Sequence, residues 1–381
     1  MTQGDLTVAA ISAEEHLAFL QGQRSASFLQ TPAWPSVKPE WRAESIGWRE
    51  PGGALVGAGL VLHRPIPRLR RYTLAYLPEG PVLDWEEASA TGLGRWLDPM
   101  TAHLKKGGAF GIRMGPLVET RRWTAAQVKE GLADPAVRTL RDVPTDVDPV
   151  GARVTEHLAT HGWRDQHAPQ GFGSGQPQYT FAVPLAGRDE EDVLRGMNQQ
   201  WRRNIKKADK SGVVVTTTDG LDGDSLARFH ALYVETAARD HFTPRPLPYF
   251  RQMAQAMNAE SPDRLRLFLA THDDDLVAAT IYARVGAHTW YLYGASSTAK
   301  RDVRGSNAVQ WAMLREALSA GADVYDMRGI TSTLDADDSH VGLVQFKVGT
   351  GGEAVETVGE WDLPLNLPLY KAFDLYMKRR G

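Results

Sequence analysis

The sequence predicts a mixed α/β fold arranged as two domains. The chain has 381 residues, which is more than a single compact core usually accommodates. Segments with strand character alternate with segments of helical periodicity in both halves, as is typical of sheets covered by helices. A stretch rich in Gly, Pro and Gln, Ala168–Gln178, separates the halves and predicts a linker. We therefore expect one domain in residues 1–175, completed by a C-terminal helix within 363–381, and a second in residues 176–362.

In the first half, strands and helices alternate along the chain. A helical pattern over Glu14–Gln21 precedes the apolar strand "GGALVGAGLVLHRPI" and the β-prone "YTLAYL", which Pro78, Gly80 and Pro81 interrupt. The periodic stretch "ATGLGRWLDPMTAHLKK" predicts a helix before the strand "AFGIRMGP". Residues 119–150 are charged and rich in Pro and Asp, so we expect a helix with an exposed loop there, followed by the helix "VGARVTEHLATHGW".

The alternation restarts after the predicted linker. The strand "YTFAVPL" is followed by one long helix, "DEEDVLRGMNQQWRRNIKKADKSG", with acids in its first turn. The strand "VVVTTT" and two helices, "DSLARFHALYVETAARD" and "PLPYFRQMAQAMN", lead to three antiparallel strands within 264–296. The helix "SNAVQWAMLREALSAG", with Ser306 as its expected N-cap, and the strand "DVYDMRGI" follow. The C-terminal "LPLYKAFDLYMKRR" is an amphipathic helix, and no heptad run predicts a coiled-coil arm.

Composition narrows the possible functions. The residues are 42% hydrophobic and 23% charged, as in ordinary globular proteins. The absence of cysteine excludes disulfides, thiolate nucleophiles and Cys-ligated zinc, and it fits a reducing cytoplasm. We expect no signal peptide and no membrane span, because neither a basic and then apolar leader nor a long apolar run occurs. The formal charge of −3 means that nucleic acid would be bound through a local basic patch.

Common catalytic motifs are missing from the sequence. There is no phosphate-binding G-x-x-x-x-G-K-[ST] loop, no G-x-S-x-G elbow and no H-E-x-x-H pair. "GFGSG" (Gly171–Gly175) lacks the strand–loop–helix context of a phosphate cradle, so we interpret it as part of the linker. The acidic groups "HDDD" and "DADDSH" do not have the spacing of a calcium loop and are interpreted as solvated turns. We expect neither a metal ion nor a cofactor.

Several stretches, taken together and in order, resemble the FemABX family of aminoacyl-tRNA-dependent peptidyltransferases. The resemblance spans nearly the whole chain. It is carried by "SFLQTPAWPSVK", "AYLPEGPV", "WRRNIKKADKSGV", "RDHFTPRPLPYF", "WYLYGASS", "GSNAVQWAMLREALSAGADVYDMRGI", and "GLVQFKVGTGG" with the following "VGEWDLPLN". It implies two GNAT-like domains with a cleft between them, here without the coiled-coil arm of some members. It also implies transfer of an amino acid from aminoacyl-tRNA to the stem-peptide amine of a peptidoglycan precursor, either UDP-MurNAc-pentapeptide or lipid II.

Such a transfer requires positioning and positive charge more than a nucleophile, because the ester to tRNA is already activated. Lys347 stands in an apolar, glycine-rich stretch beside Phe346. If this stretch is a helix, Lys347 follows Leu343 by four residues; if it is a strand, Lys347 and Phe346 face opposite sides. The resemblance implies that Lys347 lies at the catalytic centre with Phe346 packed beside it. The alternative is a lysine whose stem lies along the edge of a core.

Arg245 and Tyr249 form the first group of candidate binding residues. Proline on both sides of Arg245 restricts the backbone and favours a preset side-chain direction. Arginine is suited to a diphosphate, and a tyrosine hydroxyl adds a hydrogen bond. The resemblance implies that both contact the diphosphate or sugar of the precursor. The alternative is an arginine at a helix entry that pairs with a carboxylate such as Asp240.

Four further residues complete the candidate site. In the resembling family, the region around Lys38 contributes to the precursor site, and Trp34 is a candidate for stacking there; an exposed lysine in an early helix is the alternative. Tyr291 and Tyr293 alternate along one strand, so we expect them to share a face. One of them is expected to line the cleft near the reacting atoms, and Tyr293 is the stronger candidate. A pair of core tyrosines would have the same pattern.

A basic helix is the candidate tRNA contact. Arg202, Lys206 and Lys210 recur every four residues, with Arg203 and Lys207 alongside, and together they form one broad positive face. Such a face can follow tRNA phosphates, although a solvated helix surface is the common alternative. A second basic stretch, His63–Arg71, has no assigned purpose.

Three other functions compete with peptidyl transfer. An acyl-CoA N-acyltransferase needs a glycine-rich pyrophosphate loop, but Arg304 occupies the position of its first glycine in "RDVRGSN". A tRNA-dependent transferase acting on a small molecule would keep Lys347 and the basic helix. A carbohydrate-binding or scaffold protein is conceivable because the chain has 11 tryptophans. The donated amino acid is expected to be glycine, with alanine or serine as alternatives.

Overall fold

The computed structural model describes residues 5–66, 69–166, 175–338 and 340–378. The strands, in chain order, are β1 (Thr7–Ile11), β2 (Arg42–Arg49), β3 (Leu55–Ile66), β4 (Leu69–Leu77), β5 (Val82–Leu83), β6 (Ala109–Met114), β7 (Glu119–Thr124), β8 (Arg164–Asp165), β9 (Tyr179–Pro184), β10 (Val214–Thr218), β11 (Leu265–His272), β12 (Asp275–Val285), β13 (His288–Ser296), β14 (Val324–Gly329), β15 (Glu353–Thr357) and β16 (Trp361–Pro364).

The helices, in chain order, are α1 (Ala13–Gln21), α2 (Trp85–Thr91), α3 (Gly94–Lys106), α4 (Ala125–Ala133), α5 (Pro149–Thr160), α6 (Glu190–Gly196), α7 (Gln199–Lys210), α8 (Gly223–Asp240), α9 (Leu247–Glu260), α10 (Gly305–Ser319), α11 (Val341–Val348) and α12 (Leu367–Lys378). Short 3₁₀ turns cover Phe28–Gln30, Trp34–Val37, Leu140–Asp142 and Arg301–Val303. The longest of the described helices, α8, has 18 residues, and none combines the length and apolar character needed to cross a bilayer.

The chain divides into two compact units, and the mixed α/β prediction is confirmed. Unit 1 comprises Met1–Arg122, Thr145–Tyr179 and Val355–Gly381, and unit 2 comprises Trp123–Pro144 and Thr180–Ala354. Part of the predicted linker, residues 168–174, lies outside the described residues, as does most of the Gly171–Gly175 motif.

Unit 1 has a sheet with strand order β1-β2-β3-β4-β6-β16-β8, and β5 pairs with β3. Neighbouring strands are antiparallel except β4 and β6, which are parallel because α2 and α3 lie between them in the chain. Trp48 and Trp96 are fully buried in the core against this sheet, and the indole of Trp48 donates a hydrogen bond to the carbonyl of Trp96 at 2.7 Å. The buried Trp48 indole is therefore packed in the core, and its N–H group has a hydrogen-bond acceptor.

Unit 2 is built on a sheet in which β10, β11, β12 and β13 are consecutive antiparallel neighbours. The three antiparallel strands predicted within 264–296 are therefore confirmed. Strand β14 then runs parallel to β13 after the crossover through α10, and β9 pairs antiparallel with β14. Large aromatic residues fill the core around this sheet, among them Phe229, Phe250, Tyr282 and Trp290, all fully buried.

Residues 123–144 were expected in the first domain, but the structure assigns them to unit 2. The amide of Leu140 donates to the carbonyl of Ser332 at 2.8 Å, and the amide of Leu334 donates to the carbonyl of Arg138 at the same distance. These long-range backbone bonds attach the segment to the chain near residue 333. Residues 355–362 likewise belong to unit 1, whereas the prediction placed them in the second domain.

Two helix boundaries differ from those expected. The single helix predicted over residues 189–212 is two helices, α6 and α7, because the Asn198 side chain caps α7 by accepting from the Trp201 amide at 2.8 Å. Helix α10 begins one residue before Ser306, and its N-cap is Arg304 in a left-handed conformation with φ of 63°. Ser306 therefore lies inside the first turn and not at the cap.

Candidate functional site

Lys347 lies on helix α11, so the helical alternative for this stretch is correct. Its side chain is buried, with 3% of its surface exposed. The Nζ atom donates to the backbone carbonyls of Met327, Arg328 and Gly329 at 2.7, 3.1 and 2.7 Å. An ammonium has three N–H groups, so each is matched by a carbonyl. Lys347 therefore fastens α11 to the end of β14 and places a positive charge there.

The surroundings of Lys347 alter its proton affinity. Burial lowers the pKa of Lys347 to about 7; nearby Asp326 raises it, and Arg328 lowers it further. Asp326 is itself buried, and its Oδ2 lies 3.6 Å from Nε2 of His288. Burial raises the pKa of Asp326, but His288 and Arg328 outweigh burial and keep it below its ordinary value. The site thus holds an ionised carboxylate near a lysine that exchanges its proton close to neutrality.

Local backbone geometry turns the three carbonyls toward Lys347. Arg328 has a φ of 63°, in the left-handed region, and its amide donates to Oδ1 of Asp326 at 2.5 Å. This turn at the end of β14 directs consecutive carbonyls to one side.

Sequence reasoning did not single out Asp326, His288 or Arg328. The available signal was the "YDMRG" segment, but a pattern of side chains does not show where backbone carbonyls point.

Phe346 packs on the basic helix. Its ring centroid lies 4.9 Å from that of Trp201, and the Trp201 indole donates to the Phe346 carbonyl at 2.9 Å. A side chain at Gly349 would overlap the Trp201 ring, which explains one of the glycines after Lys347. Phe346 therefore holds α11 against α7 through its contacts with Trp201.

Arg245 and Tyr249 form a second group, at the start of α9. The Tyr249 hydroxyl lies 3.1 Å from the Tyr293 hydroxyl, and the Arg245 guanidinium carbon lies 5.4 Å from the centroid of the Tyr249 ring. The carbonyl of Arg245 is 3.0 Å from Nε2 of His230, which anchors the backbone while the side chain stays exposed. Burial and the neighbouring Tyr293 raise the pKa of Tyr249 far above neutrality, so its hydroxyl stays protonated.

The structural alternative for Arg245 was an ion pair with Asp240. Asp240 instead forms a bidentate pair with Arg239, at 2.7 and 2.9 Å. Among the residues that the structure describes, no carboxylate pairs with Arg245. Its guanidinium is therefore available to an anion from outside the protein.

Tyr291 and Tyr293 do not share a face, and this expectation was wrong. On β12, Ile281 and Tyr282 are consecutive residues. Their partners on β13 are Tyr293 and Tyr291, which have one extra residue between them. The extra residue, Leu292, is a β-bulge that reverses the side-chain alternation. Tyr293 packs on Phe250 of α9, whereas Tyr291 lines a separate pocket of about 140 Å³ with residues that include Ser306 and Gln310.

The two candidates from the first domain lie in unit 1. Trp34 is 5% exposed and packs edge-on against Phe28, with ring centroids 5.3 Å apart. It is a core residue and offers no open face for stacking. Lys38 ends the 3₁₀ turn Trp34–Val37 and is half-buried. Contact of Lys38 with the precursor stays a prediction, whereas the buried Trp34 is not placed to stack on a ligand.

The basic helix α7 presents four exposed cations on the side opposite its buried residues Trp201 and Ala208, namely Arg203, Lys206, Lys207 and Lys210. Within the described parts of the chain, none of these four forms an ion pair. Arg202 differs, because Nη1 donates to the carbonyls of Arg195 and Met197 at 3.1 and 2.7 Å. Arg202 thus caps the end of α6, and the positive face is narrower than predicted.

Among the described residues, no group of three or more carboxylate and imidazole side chains is placed to hold a metal ion. Unit 2 contains a buried lysine near a buried acid, an exposed arginine over a tyrosine ring, and a helix with an exposed positive face.

Comparison with known proteins gives these groups a context. The model of the FemAB family matches residues 11–273 and 257–378. The chain is 24% identical to the lipid II:glycine glycyltransferases of Staphylococcus aureus strains MRSA252 and USA300, over 96% of this chain and 94% of each relative.

Solved structures agree on the fold. The crystal structure of FemX superposes with a TM-score of 0.78 at 23% identity, covering 96% of this chain and 99% of that one. The C-terminal domain of a putative lysylphosphatidylglycerol synthetase from Agrobacterium fabrum gives a TM-score of 0.52 at 12% identity, covering 96% of this chain and 98% of that one. The family match extends over both units and bears out the resemblance read from the ordered stretches, so this chain belongs to the FemAB family.

Proposed function

We propose that this protein moves an amino acid, glycine in the first instance, from aminoacyl-tRNA to the stem-peptide amine of a peptidoglycan precursor. The observation that carries the proposal is the family match over both units, with relatives named lipid II:glycine glycyltransferase. The protein is an aminoacyltransferase, and the reaction exchanges an ester for an amide. Lipid II is the preferred acceptor because those relatives are named for it. We place the reaction in the cytoplasm, where charged tRNA is found.

The chemistry balances without a cofactor. The neutral stem-peptide amine attacks the ester carbonyl, and a C–N bond forms as the negative charge moves to the carbonyl oxygen. Collapse of this intermediate breaks the C–O bond to the ribose, and the proton lost by the amine ends on the ribose oxygen. The protein must orient both substrates, stabilise the oxyanion and assist this proton movement.

Lys347 is the residue we assign to the developing negative charge. Its ammonium is held by three carbonyls in a buried setting, where a positive charge acts more strongly than it would in water. Because all three N–H groups are used, Lys347 acts through its charge and through the fixed position of the β14 end. A pKa of about 7 also allows it to release and regain a proton near neutrality. Phe346 holds the helix that carries it.

Arg245 and Tyr249 are assigned to the precursor. The Arg245 guanidinium is exposed, and Asp240 is already paired with Arg239. Its planar donors suit the diphosphate common to both candidate acceptors. The protonated Tyr249 hydroxyl, paired with Tyr293, adds a neutral hydrogen-bonding group. Lys38 stays a separate candidate for a precursor contact, in unit 1.

The exposed face of α7 is assigned to tRNA. Arg203, Lys206, Lys207 and Lys210 supply four positive charges, and Arg202 is excluded because it caps α6. Contacts of this kind are made to phosphates and carry no base specificity. Recognition of the amino acid itself must then come from elsewhere in the site.

The test is a transfer assay with purified full-length protein. Radiolabelled glycyl-, alanyl- and seryl-tRNA are each combined with lipid II in detergent micelles or with UDP-MurNAc-pentapeptide, and the products are identified by mass. Transfer to a precursor is expected, with glycine and lipid II giving the highest rate. Free glycine with uncharged tRNA, and acetyl-CoA in place of charged tRNA, are the controls. Transfer from acetyl-CoA alone, or no transfer from any aminoacyl-tRNA, would refute the proposal.

A further inference from the structure

A basic pocket of about 480 Å³ lies in unit 1, and its lining includes none of the residues assigned above. It forms where β2 and β4 meet the C-terminal end of α3. Its charged lining consists of Arg42, Arg70, Arg71, Lys106, Glu44 and His103. We infer that this pocket binds a phosphate-bearing dianion, such as a phosphomonoester or a diphosphate. It also gives a role to part of the basic stretch His63–Arg71, which the transfer reaction leaves unexplained.

The pocket has four cations and, among the described residues, no carboxylate paired with them. Throughout the described parts of the chain, none of Arg42, Arg70, Arg71 and Lys106 forms an ion pair with a carboxylate. All four are exposed. Like charges brought together in this way repel one another, and a bound anion relieves that repulsion. The Arg71 guanidinium is also held in place, since it donates to the Tyr72 hydroxyl at 2.8 Å and lies 4.6 Å from the centre of that ring.

The one acid in the lining is already engaged by histidines. Oε1 of Glu44 lies 2.7 Å from Nε2 of His63, and Oε2 lies 3.3 Å from Nε2 of His103. Burial raises the pKa of Glu44, but the two imidazoles outweigh it and lower the pKa to about 2. Nδ1 of His63 lies 3.1 Å from Oγ1 of Thr73, which completes the chain of contacts. Both carboxylate oxygens therefore face imidazoles, and Glu44 orients His103 at the edge of the pocket.

A tight glycine turn forms the pocket wall between α3 and β4. Gly108 has a φ of 92°, and a Cβ atom there would lie 2.5 Å from the carbonyl oxygen of Arg71. The amide of Thr73 donates to the Gly108 carbonyl at 3.2 Å. This close approach brings Lys106, at the end of α3, beside Arg71 on β4. The cations thus converge through the fold and do not merely follow one another in sequence.

The charge and the donor geometry favour phosphate over a single carboxylate. Three arginines offer planar pairs of N–H donors, which match phosphate oxygens in a bidentate manner. The lining has four positive charges, and its single carboxylate is already bound by histidines. This excess of positive charge suits a ligand with two negative charges. The phosphate could belong to a lipid headgroup or to a soluble molecule, and the same donors would serve either source.

The experiment uses the full chain, with a double variant and a control of equal charge. Arg42→Ala/Arg71→Ala removes two pocket cations, whereas Lys105→Ala/Arg153→Ala removes two exposed cations of unit 1 outside the lining. Inorganic pyrophosphate is titrated by calorimetry at low salt. Binding to vesicles of phosphatidic acid, a phosphomonoester lipid, in phosphatidylcholine is measured by sedimentation, with pure phosphatidylcholine as reference. Circular dichroism confirms that both variants fold.

We expect at least one phosphate source to bind the wild-type protein, and the pocket variant to bind it at least about tenfold more weakly, while the control changes by less than about threefold. Vesicle binding alone would identify a headgroup, and pyrophosphate binding alone would identify a soluble ligand. If neither source binds, or if both double variants lose affinity equally, the inference is overturned. The result is independent of aminoacyl transfer, which is measured in a separate assay with other residues.

Discussion

The hydroxyl groups of Tyr249 and Tyr293 lie 3.1 Å apart and join the start of helix α9 to strand β13. Phe250 and Tyr233 pack edge-on against the Tyr293 ring, at 5.1 and 6.1 Å between centroids. The pair is therefore supported on an aromatic base, while Arg245 lies on its outer side over the Tyr249 ring. This arrangement offers a fixed hydroxyl and a guanidinium to the same ligand.

Removing the Tyr249 hydroxyl tests that arrangement. Tyr249→Phe keeps the ring beneath Arg245, and we expect it to raise the KM for lipid II by about three- to tenfold, the value of one neutral hydrogen bond, with little change in kcat. Tyr293→Phe leaves the Tyr249 hydroxyl in place without its partner, so a smaller effect is expected. Steady-state kinetics at varied lipid II provide the measurement. An unchanged KM for Tyr249→Phe would remove this hydroxyl from the binding site.

Arg245 is expected to contribute more to precursor binding than the Tyr249 hydroxyl does, because its hydrogen bonds to the diphosphate are charge-assisted. Arg245→Ala should raise the KM for the precursor by about 10- to 100-fold, and Arg245→Lys should restore only part of the loss because it cannot bind a diphosphate bidentately. Arg251, an exposed arginine in the first turns of α9, gives the matched control Arg251→Ala. Equal effects at residues 245 and 251 would indicate a general loss of charge and not a specific contact.

The sequence predicts side-chain periodicity well and backbone-dependent contacts poorly. The three antiparallel strands and the helices α8 and α9 follow from alternation and periodicity, and they are confirmed. The relation of Tyr291 to Tyr293 was wrong because a single bulged residue, Leu292, reverses the alternation and leaves no distinct composition signal.

The carbonyl contacts of two cations were missed for a related reason. Arg202 and Lys347 were both recognised as cations, but their partners are backbone carbonyls of α6 and of the end of β14. Every residue has a carbonyl, so residue types do not reveal which ones lack a partner. Only the fold shows that a helix end and a left-handed turn leave carbonyls to be satisfied.

The exposed lysines of α7 and the capping Arg202 should affect different properties when they are substituted, namely tRNA binding and folding stability. Changing Lys206, Lys207 and Lys210 together to Ala should weaken tRNA binding and reduce the slope of log affinity against log salt by about 2 to 3, since each phosphate contact contributes about 0.7 to 0.9. Arg202→Ala should instead lower the free energy of unfolding by about 1 to 2 kcal/mol, because carbonyls of α6 lose a charged donor. Filter binding at several salt concentrations and urea denaturation measure the two effects. A triple variant with an unchanged slope would exclude this face from tRNA binding.

Lys347 should make folding stability depend on pH. Its pKa is about 7 in the folded protein and 10.5 ordinarily, so between these values the unfolded chain holds a proton that the folded chain has released. The free energy of unfolding should therefore rise with pH across this window, by up to about 1.4 kcal/mol per pH unit from this group. In Lys347→Met that contribution is absent. Denaturation of both proteins from pH 7 to 10 provides the comparison, and parallel curves would show that burial does not shift this lysine.

The turnover rate should change with pH in the opposite direction to folding stability, because catalysis needs the proton that Lys347 loses. If the charge of Lys347 stabilises the oxyanion, turnover should fall as pH rises through about 7, because the ammonium is lost. Lys347→Met should lower kcat by about 100-fold or more, and Lys347→Arg, which stays charged, should retain part of the rate without that fall. The pH dependence of kcat for the three proteins, with circular dichroism to confirm folding, separates charge from packing. A fully active methionine variant would remove Lys347 from the mechanism, whereas a fall near pH 7 that persists in the arginine variant would assign that proton to another group.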